Sequence, residues 1–320
     1  MKGVVLTLLI LVATLALPAR AQAQTCSATA SAINFGSVSP ITGSAVSATG
    51  TVSVTCTWPA ITVTPYAQVC LNLGGTSPRS LVNGTNAMQY NLYQDAAHSL
   101  VWGSIYYGTP PISLTLTKPA AGTSATQNVT VYGQIAGSQP TVPTVSNSST
   151  AYSQTFGGNT TSLNYAFYLF GAPSCASITT NGGTFPFSVS ATEINNCNIS
   201  ATNLGFATAS VLTSPVTATG SITAQCTNGD AWRIALNGGS SGNVAARTMQ
   251  RSGGGAAVTY QLYTDAAHAS AWGDGTSGTA MATGTGTGNP QTVTVYGVVP
   301  AQATPAPGGY SDTITATISF

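Results

Sequence analysis

The chain has 320 residues, 43% hydrophobic and 4% charged, and seven Lys/Arg against six Asp/Glu give a formal net charge of +1. Globular proteins carry about 25% charged residues, so this depletion excludes a basic face for nucleic acid and a polybasic membrane patch. Six acids and two histidines are too few for a convergent acid–base or metal constellation, so no catalytic, cofactor or metal residues are expected and the chain reads as a non-enzyme.

Lys2 followed by the apolar run Val4 to Leu17, Pro18, and the small-x-small sites Ala19–Ala21 and Ala21–Ala23 predict a signal peptide over residues 1–23. Cleavage after Ala23 is favoured, with Ala21 the alternative. Six cysteines follow, at 26, 56, 70, 175, 197 and 226. An even number in an exported chain suits disulfides, of which six cysteines allow fifteen connectivities.

The rest of the chain contains one domain twice. Tyr90-Asn-Leu-Tyr-Gln-Asp95-Ala-Ala-His98 recurs as Tyr260-Gln-Leu-Tyr-Thr-Asp265-Ala-Ala-His268, each followed by Trp-Gly, at Trp102 and Trp272. Gln127-Asn-Val-Thr-Val-Tyr132-Gly133 recurs as Gln291-Thr-Val-Thr-Val-Tyr296-Gly297, Gly50 to Cys56 matches Gly220 to Cys226, and Arg79 aligns with Arg247. The first copy spans 24–172 and the second 196–320, joined by a linker over 173–195. Thr51–Thr55, Gln127–Tyr132, Gln291–Tyr296 and Thr313–Phe320 alternate apolar and polar residues, the period of half-buried strands. With turns rich in Gly, Pro, Asn and Ser, each copy reads as an all-β antiparallel sandwich.

An early Cys, a Phe-Gly step (Phe35-Gly36, Phe206-Ala207), a second Cys closing a strand, a downstream Arg, Tyr-x-Leu-Tyr-x-Asp, Trp-Gly, Val-Tyr-Gly and Tyr-Ser-Asp312-Thr together resemble the spore coat protein U domain family. The first copy departs at Gln154, which stands where Asp312 stands, and lacks the Asp-Gly after its Trp-Gly. The resemblance implies two tandem immunoglobulin-like sandwiches, the second incomplete and completed by a donor strand. Two-domain members resemble the tip adhesin of archaic, Csu-type chaperone–usher pili. The implied partners are a periplasmic chaperone, an outer-membrane usher, the donor strand of the next subunit and hydrophobic surfaces. The implied location is the cell surface, at a pilus tip in surface attachment and biofilm formation. A secreted coat or matrix protein built outside a donor-strand fibre is the alternative.

Within that frame, residues 184–192 carry Phe185, Phe187, Val189 and Ala191 at every second position, the pattern of a strand donated to the first domain in cis. The second copy ends at Phe320 with no donor behind it, so an open edge is expected there. Repeat equivalence pairs Cys26 with Cys56 and Cys197 with Cys226, leaving Cys70 for Cys175. Three loops of the first copy are apolar and proline-rich where the second copy's are polar and glycine-rich. Trp58, Ile61, Ile105, Tyr106, Tyr107, Ile112, Val142 and Val145 are therefore expected as surface-binding fingertips converging at one end. Arg79 with Asp95, and Arg247 with Asp265, are candidate ion pairs. His98 and His268 read as turn residues, and Gly238-Gly-Ser240-Ser-Gly242, despite its G-x-S-x-G pattern, reads as a turn.

Overall fold

Alternating Thr, Ser and Val stretches separated by turn residues fold as strands throughout the computed structural model, which describes residues 23–39 and 41–320. The expected leader lies outside the described residues except for Ala23. The first copy contributes β1 (Thr25–Ala30), β2 (Ile33–Val38), β3 (Val46–Thr57), β4 (Tyr66–Leu73), β5 (Arg79–Asn83) and β6 (Asn86–Tyr93). It continues with β7 (Ile112–Thr117), β8 (Ser124–Ile135), β9 (Thr150–Phe156), β10 (Thr161–Tyr168) and β11 (Phe187–Glu193). They form an eight-stranded sheet ordered β1-β3-β8-β6-β5-β9-β11-β2 and a three-stranded sheet ordered β10-β4-β7.

The second copy contributes β12 (Cys197–Ala201), β13 (Val216–Cys226), β14 (Ala231–Leu236), β15 (Arg247–Arg251) and β16 (Ala257–Tyr263). It ends with β17 (Ala282–Thr285), β18 (Gln291–Val299), β19 (Tyr310–Ser311) and β20 (Ala316–Ser319). Here a six-stranded sheet, β12-β13-β18-β16-β15-β19, faces β17-β14-β20. The expected strand Thr313–Phe320 is shorter in the fold, because the Thr315 N–H is diverted to the Asn237 side chain at 2.9 Å and the Thr313 N–H to Asp312 at 2.8 Å.

Each copy wraps a separate core around its tryptophan. Trp102 donates its indole N–H to the Leu71 carbonyl at 2.9 Å, and Trp272 does the same to Ile234 at 2.8 Å, so a large apolar ring is buried with its polar atom satisfied. Cys26 lies opposite Cys56, and Cys197 opposite Cys226, in antiparallel register. Disulfides join Cys26–Cys56, Cys197–Cys226 and Cys70–Cys175.

The candidate ion pairs do not form. Asp95 accepts from the Ser99 hydroxyl at 2.7 Å and the Leu100 N–H at 2.8 Å, closing its own turn, and Asp265 does likewise with Ala269 and Ser270. His98 and His268 hold positive φ in these turns, 54° and 56°. The buried Arg79 guanidinium donates instead to Asn91 Oδ1 at 2.6 Å and the Trp102 carbonyl at 2.9 Å. Arg247 donates to Gln261, and to the Asn237 carbonyl at 2.9 Å. Both cations are held by neutral acceptors, although Arg79 Nε has no partner: Arg79 pins β5 to the Trp-Gly turn, whereas Arg247 pins β15 to the end of β14 through the Leu236 and Asn237 carbonyls. Gly238-Gly-Ser240-Ser-Gly242 forms a short 3-10 turn over Gly239–Ser241.

Candidate functional site

The segment before the second copy is a strand of the first. β11 pairs antiparallel with β9, from Phe187 opposite Phe156 to Glu193 opposite Thr150, and parallel with β2, from Val189 opposite Ile33 to Glu193 opposite Val38. Its alternation puts Phe187, Val189 and Ala191 into the core, with Phe185 buried just ahead of the ladder. Phe185 and Phe187 stack on Trp102 at ring separations of 6.0 and 5.9 Å, and Phe187 lies 4.9 Å from Phe156. Burying the two rings and the valine stabilises the sandwich by roughly 5–9 kcal/mol. The strand runs one residue past the expected 184–192 and starts later. Phe185 reaches the core without joining the ladder; its N–H goes to the Thr161 hydroxyl at 3.3 Å.

The second copy has strands matching β1, β3, β8, β6, β5 and β9, in that order, and none beyond β19. The stretch equivalent to β2, Leu204 to Ala207, is not a strand. Between it and the sheets runs a groove of about 1100 Å³ lined by Leu204, Phe206, Ile222, Val258, Leu262 and Ile314, among others. One polar fixture stands beside it: the Tyr260 hydroxyl donates to Asp312 at 2.6 Å, as Tyr90 donates to Gln154 at 2.6 Å in the first copy. Burial, then the Asp312 bond, pushes the Tyr260 phenol well up. Burial opposes ionisation of Asp312, but hydrogen bonds from Ser240 and Tyr260 outweigh it and hold the carboxyl below its ordinary value. Thr202, Asn203, Ser210 and Thr304 also line the groove, while the side chains it shares with the core are apolar, suited to a strand with apolar side chains at every second position.

The expected fingertips separate into three places, and three of them are core residues. Trp58 is 0% exposed and packs edge-to-face on Phe167 at 5.4 Å. It continues the inward alternation of Val52, Val54 and Cys56 along β3. Ile112 is buried as the first residue of β7, opposite Leu71. Val142, on the β8–β9 connection, is buried in the core of the first sandwich, while Val145, three residues on, is exposed. Ile61 is 92% exposed. Tyr106 and Tyr107, 61% and 64% exposed, follow the half-buried Ile105 in a 3-10 turn. That turn lies by Gly74 and Asn72 at the far end of β4 from Tyr66, roughly 23 Å away at ~3.3 Å per residue. The three loops therefore do not converge.

One end of the first sandwich does gather exposed apolar side chains from two chain segments that meet at Tyr66 and Tyr168. Tyr66 and Tyr168 are register partners with rings 5.5 Å apart. Ile61 and Val63 precede one, and Leu169 and Phe170, the latter 86% exposed, follow the other. Gln24 holds this loop through the Thr62 and Thr64 hydroxyls at 2.9 and 2.7 Å. The Val46/Ile135 end of the paired β3 and β8 faces the second sandwich, so their Thr57/Ser124 end, beside this patch, is the remote one. Leu169 and Phe170 were missed in the sequence. Their signal was the unbroken run Tyr165-Ala-Phe-Tyr-Leu-Phe170, six consecutive apolar residues without alternation before Gly-Ala-Pro.

The Spore Coat Protein U domain family model matches residues 11–156 and 183–317. Protein U of Myxococcus xanthus is 39% identical over 108 residues, 32% of this chain; the match spans 59% of that protein's length. Among solved structures, the chain is similar to the CsuC–CsuE chaperone–tip adhesion subunit pre-assembly complex of archaic Csu pili from Acinetobacter baumannii. That match has 16% identity, 92% and 100% coverage of the two chains, and a TM-score of 0.48. The CupB6 tip adhesin of Pseudomonas aeruginosa matches at 13% identity, 92% and 95% coverage, and a TM-score of 0.39.

Proposed function

From the premise that this chain belongs to the spore coat protein U domain family, we propose that it is the tip adhesin and structural subunit of an archaic chaperone–usher pilus. The observation that carries the reading is the asymmetry between the sandwiches. The first is completed by β11 from within the chain, while the second keeps an apolar groove where β11 and β2 would lie. A subunit behind it in the fibre supplies the missing strand by β-strand addition. Before assembly a periplasmic chaperone covers the groove, since an open apolar edge invites aggregation. An outer-membrane usher then passes the subunit to the cell surface. The tyrosine-lined apolar end of the first sandwich makes contact with hydrophobic surfaces, and many fibres engaging together supply avidity for attachment and biofilm formation.

The test is capture of a donor. The full chain is co-expressed with a nine- to twelve-residue peptide of alternating apolar residues, or with a candidate chaperone. The expected result is a soluble 1:1 complex in which residues 204–207 become protected from amide exchange. A full chain that stays monomeric, unfolds cooperatively and takes up neither partner overturns the reading and leaves a coat or matrix protein as the alternative.

A further inference from the structure

The β8–β9 connection runs alongside residues 226–231 of the second sandwich. The Thr144 N–H donates to the Asn228 carbonyl at 3.2 Å, and the Asn228 side chain to the Thr141 carbonyl at 2.8 Å. The Asn147 side chain accepts from the Ala231 N–H at 2.8 Å and donates to the Ala231 carbonyl at 3.0 Å. Gly288, at φ +74°, admits the Pro140 backbone, with which any Cβ would collide.

Two acids are enclosed by this frame. Asp230 is fully buried; one oxygen accepts from the Thr144 hydroxyl and the other has no partner. Glu193 is the last inward position of β11, is fully buried, and has no partner on either carboxyl oxygen. The groups facing Glu193 can be taken element by element. β9 brings Tyr152, whose hydroxyl donates to the Pro143 carbonyl. β2 brings Ser37 and Val38, neither ionisable. The second sandwich brings Asp230, near enough that its charge opposes ionisation of Glu193. Among the described residues no Lys, Arg or His hydrogen-bonds either carboxyl, and no three His, Cys, Asp or Glu side chains are grouped to hold a metal.

Two buried carboxylates without a counter-charge cannot both remain ionised; the pair retains a proton. We propose that the junction between the sandwiches is a proton-operated latch, closed while the Glu193–Asp230 pair holds a proton and loosened when both carboxyls release theirs to solvent. Burial, then the Asp230 charge, pushes Glu193 up to about 8 from 4.5. Burial also raises Asp230, against the hydrogen bond from Thr144. The two groups titrate as a pair. A carboxyl raised in the closed state stabilises it fully below its ordinary value, and that contribution is lost as pH rises through the raised one. The window therefore lies between about pH 4.5 and 8. Below it the sandwiches are held in line, and above it they hinge.

Amide exchange of residues 141–150 and 226–231 in the full chain, corrected for intrinsic rates, reads the latch directly. Between pH 6 and 9 opening is expected to rise on the order of a hundredfold, with β3 as the internal control. Glu193→Gln, a neutral isostere, is expected to hold that rise below about threefold while keeping the junction protected; Asp230→Asn provides a second, independent variant. A wild-type junction whose opening is flat with pH, or variants that keep its slope, overturn the proposal. So does added calcium that closes the wild-type junction at pH 9 but not the Glu193→Gln junction, which would assign the pair to a cation.

Discussion

The two sandwiches are one sequence pattern in two states of completion. In the first, Ile33-Asn-Phe35-Gly36 is a strand because β11 lies beside it and takes up its backbone hydrogen bonds. In the second, Leu204-Gly-Phe206-Ala207 occupies the equivalent place without a neighbour and forms no strand, although Leu204 and Phe206 still pack against the core. The difference is not one of propensity. A strand needs a partner for its N–H and C=O groups, and one seven-residue segment decides whether two strands or none are present. Completion is thus a property of the groove's occupant more than of the domain's own residues.

Substitutions that break this comparison have the largest effects. Val189→Asp places an unpaired carboxylate in the filled groove and is expected to cost several kcal/mol. Circular dichroism and limited proteolysis should then show the first sandwich lost while the second still captures a candidate chaperone or a donor peptide. Loss of the second sandwich alone would mean that the segment serves that domain. The equivalent phenylalanines sharpen the comparison at smaller scale. Phe35→Ala removes a buried ring and is expected to lower stability by about 3–4 kcal/mol in denaturant titrations. Phe206→Ala, in the unoccupied groove, should cost under ~1 kcal/mol yet weaken donor capture at least tenfold. Equal costs at both positions would contradict an open groove. The smallest stability effects belong to the remote apolar end. Ile61→Ser with Phe170→Ser should change stability by no more than about 0.5 kcal/mol while reducing binding to hydrophobic beads several-fold. High salt should leave that binding intact. Trp58→Ser, a few residues away, should unfold the domain instead. Adhesion that falls only in step with stability would exclude a surface patch.

The duplication, the β class and the alternation that becomes β11 were all legible, because each is a short-range pattern of period two or a direct self-match. The errors came from reading proline-flanked apolar residues as exposed. Trp58 continues the alternation Val52, Val54, Cys56, and Ile112 starts another through Leu114 and Leu116, so both were readable as core. Val142 was not, since it reaches the first sandwich's core from an irregular connection, where no period-two pattern marks the inward side. Glu193 extends the inward series Phe187, Val189, Ala191 by one step. That alternation would carry an acid inside, a consequence visible in the sequence once the strand is drawn one residue longer. The remote end escaped notice because Tyr66 and Tyr168 meet only through register.

The path from one sandwich to the other also governs how the molecule carries tension. β11 ends at Glu193 and β12 begins at Cys197, so a pull on the second sandwich arrives along the axis of β11. That strand is hydrogen-bonded on both flanks, antiparallel to β9 and parallel to β2. A load along its length strains both ladders at once instead of opening them one bond at a time. Resistance to such a pull is a matter of unfolding rate rather than equilibrium stability. Under flow, the segment that completes the first sandwich is therefore also its tether, and detachment there requires both ladders to shear together.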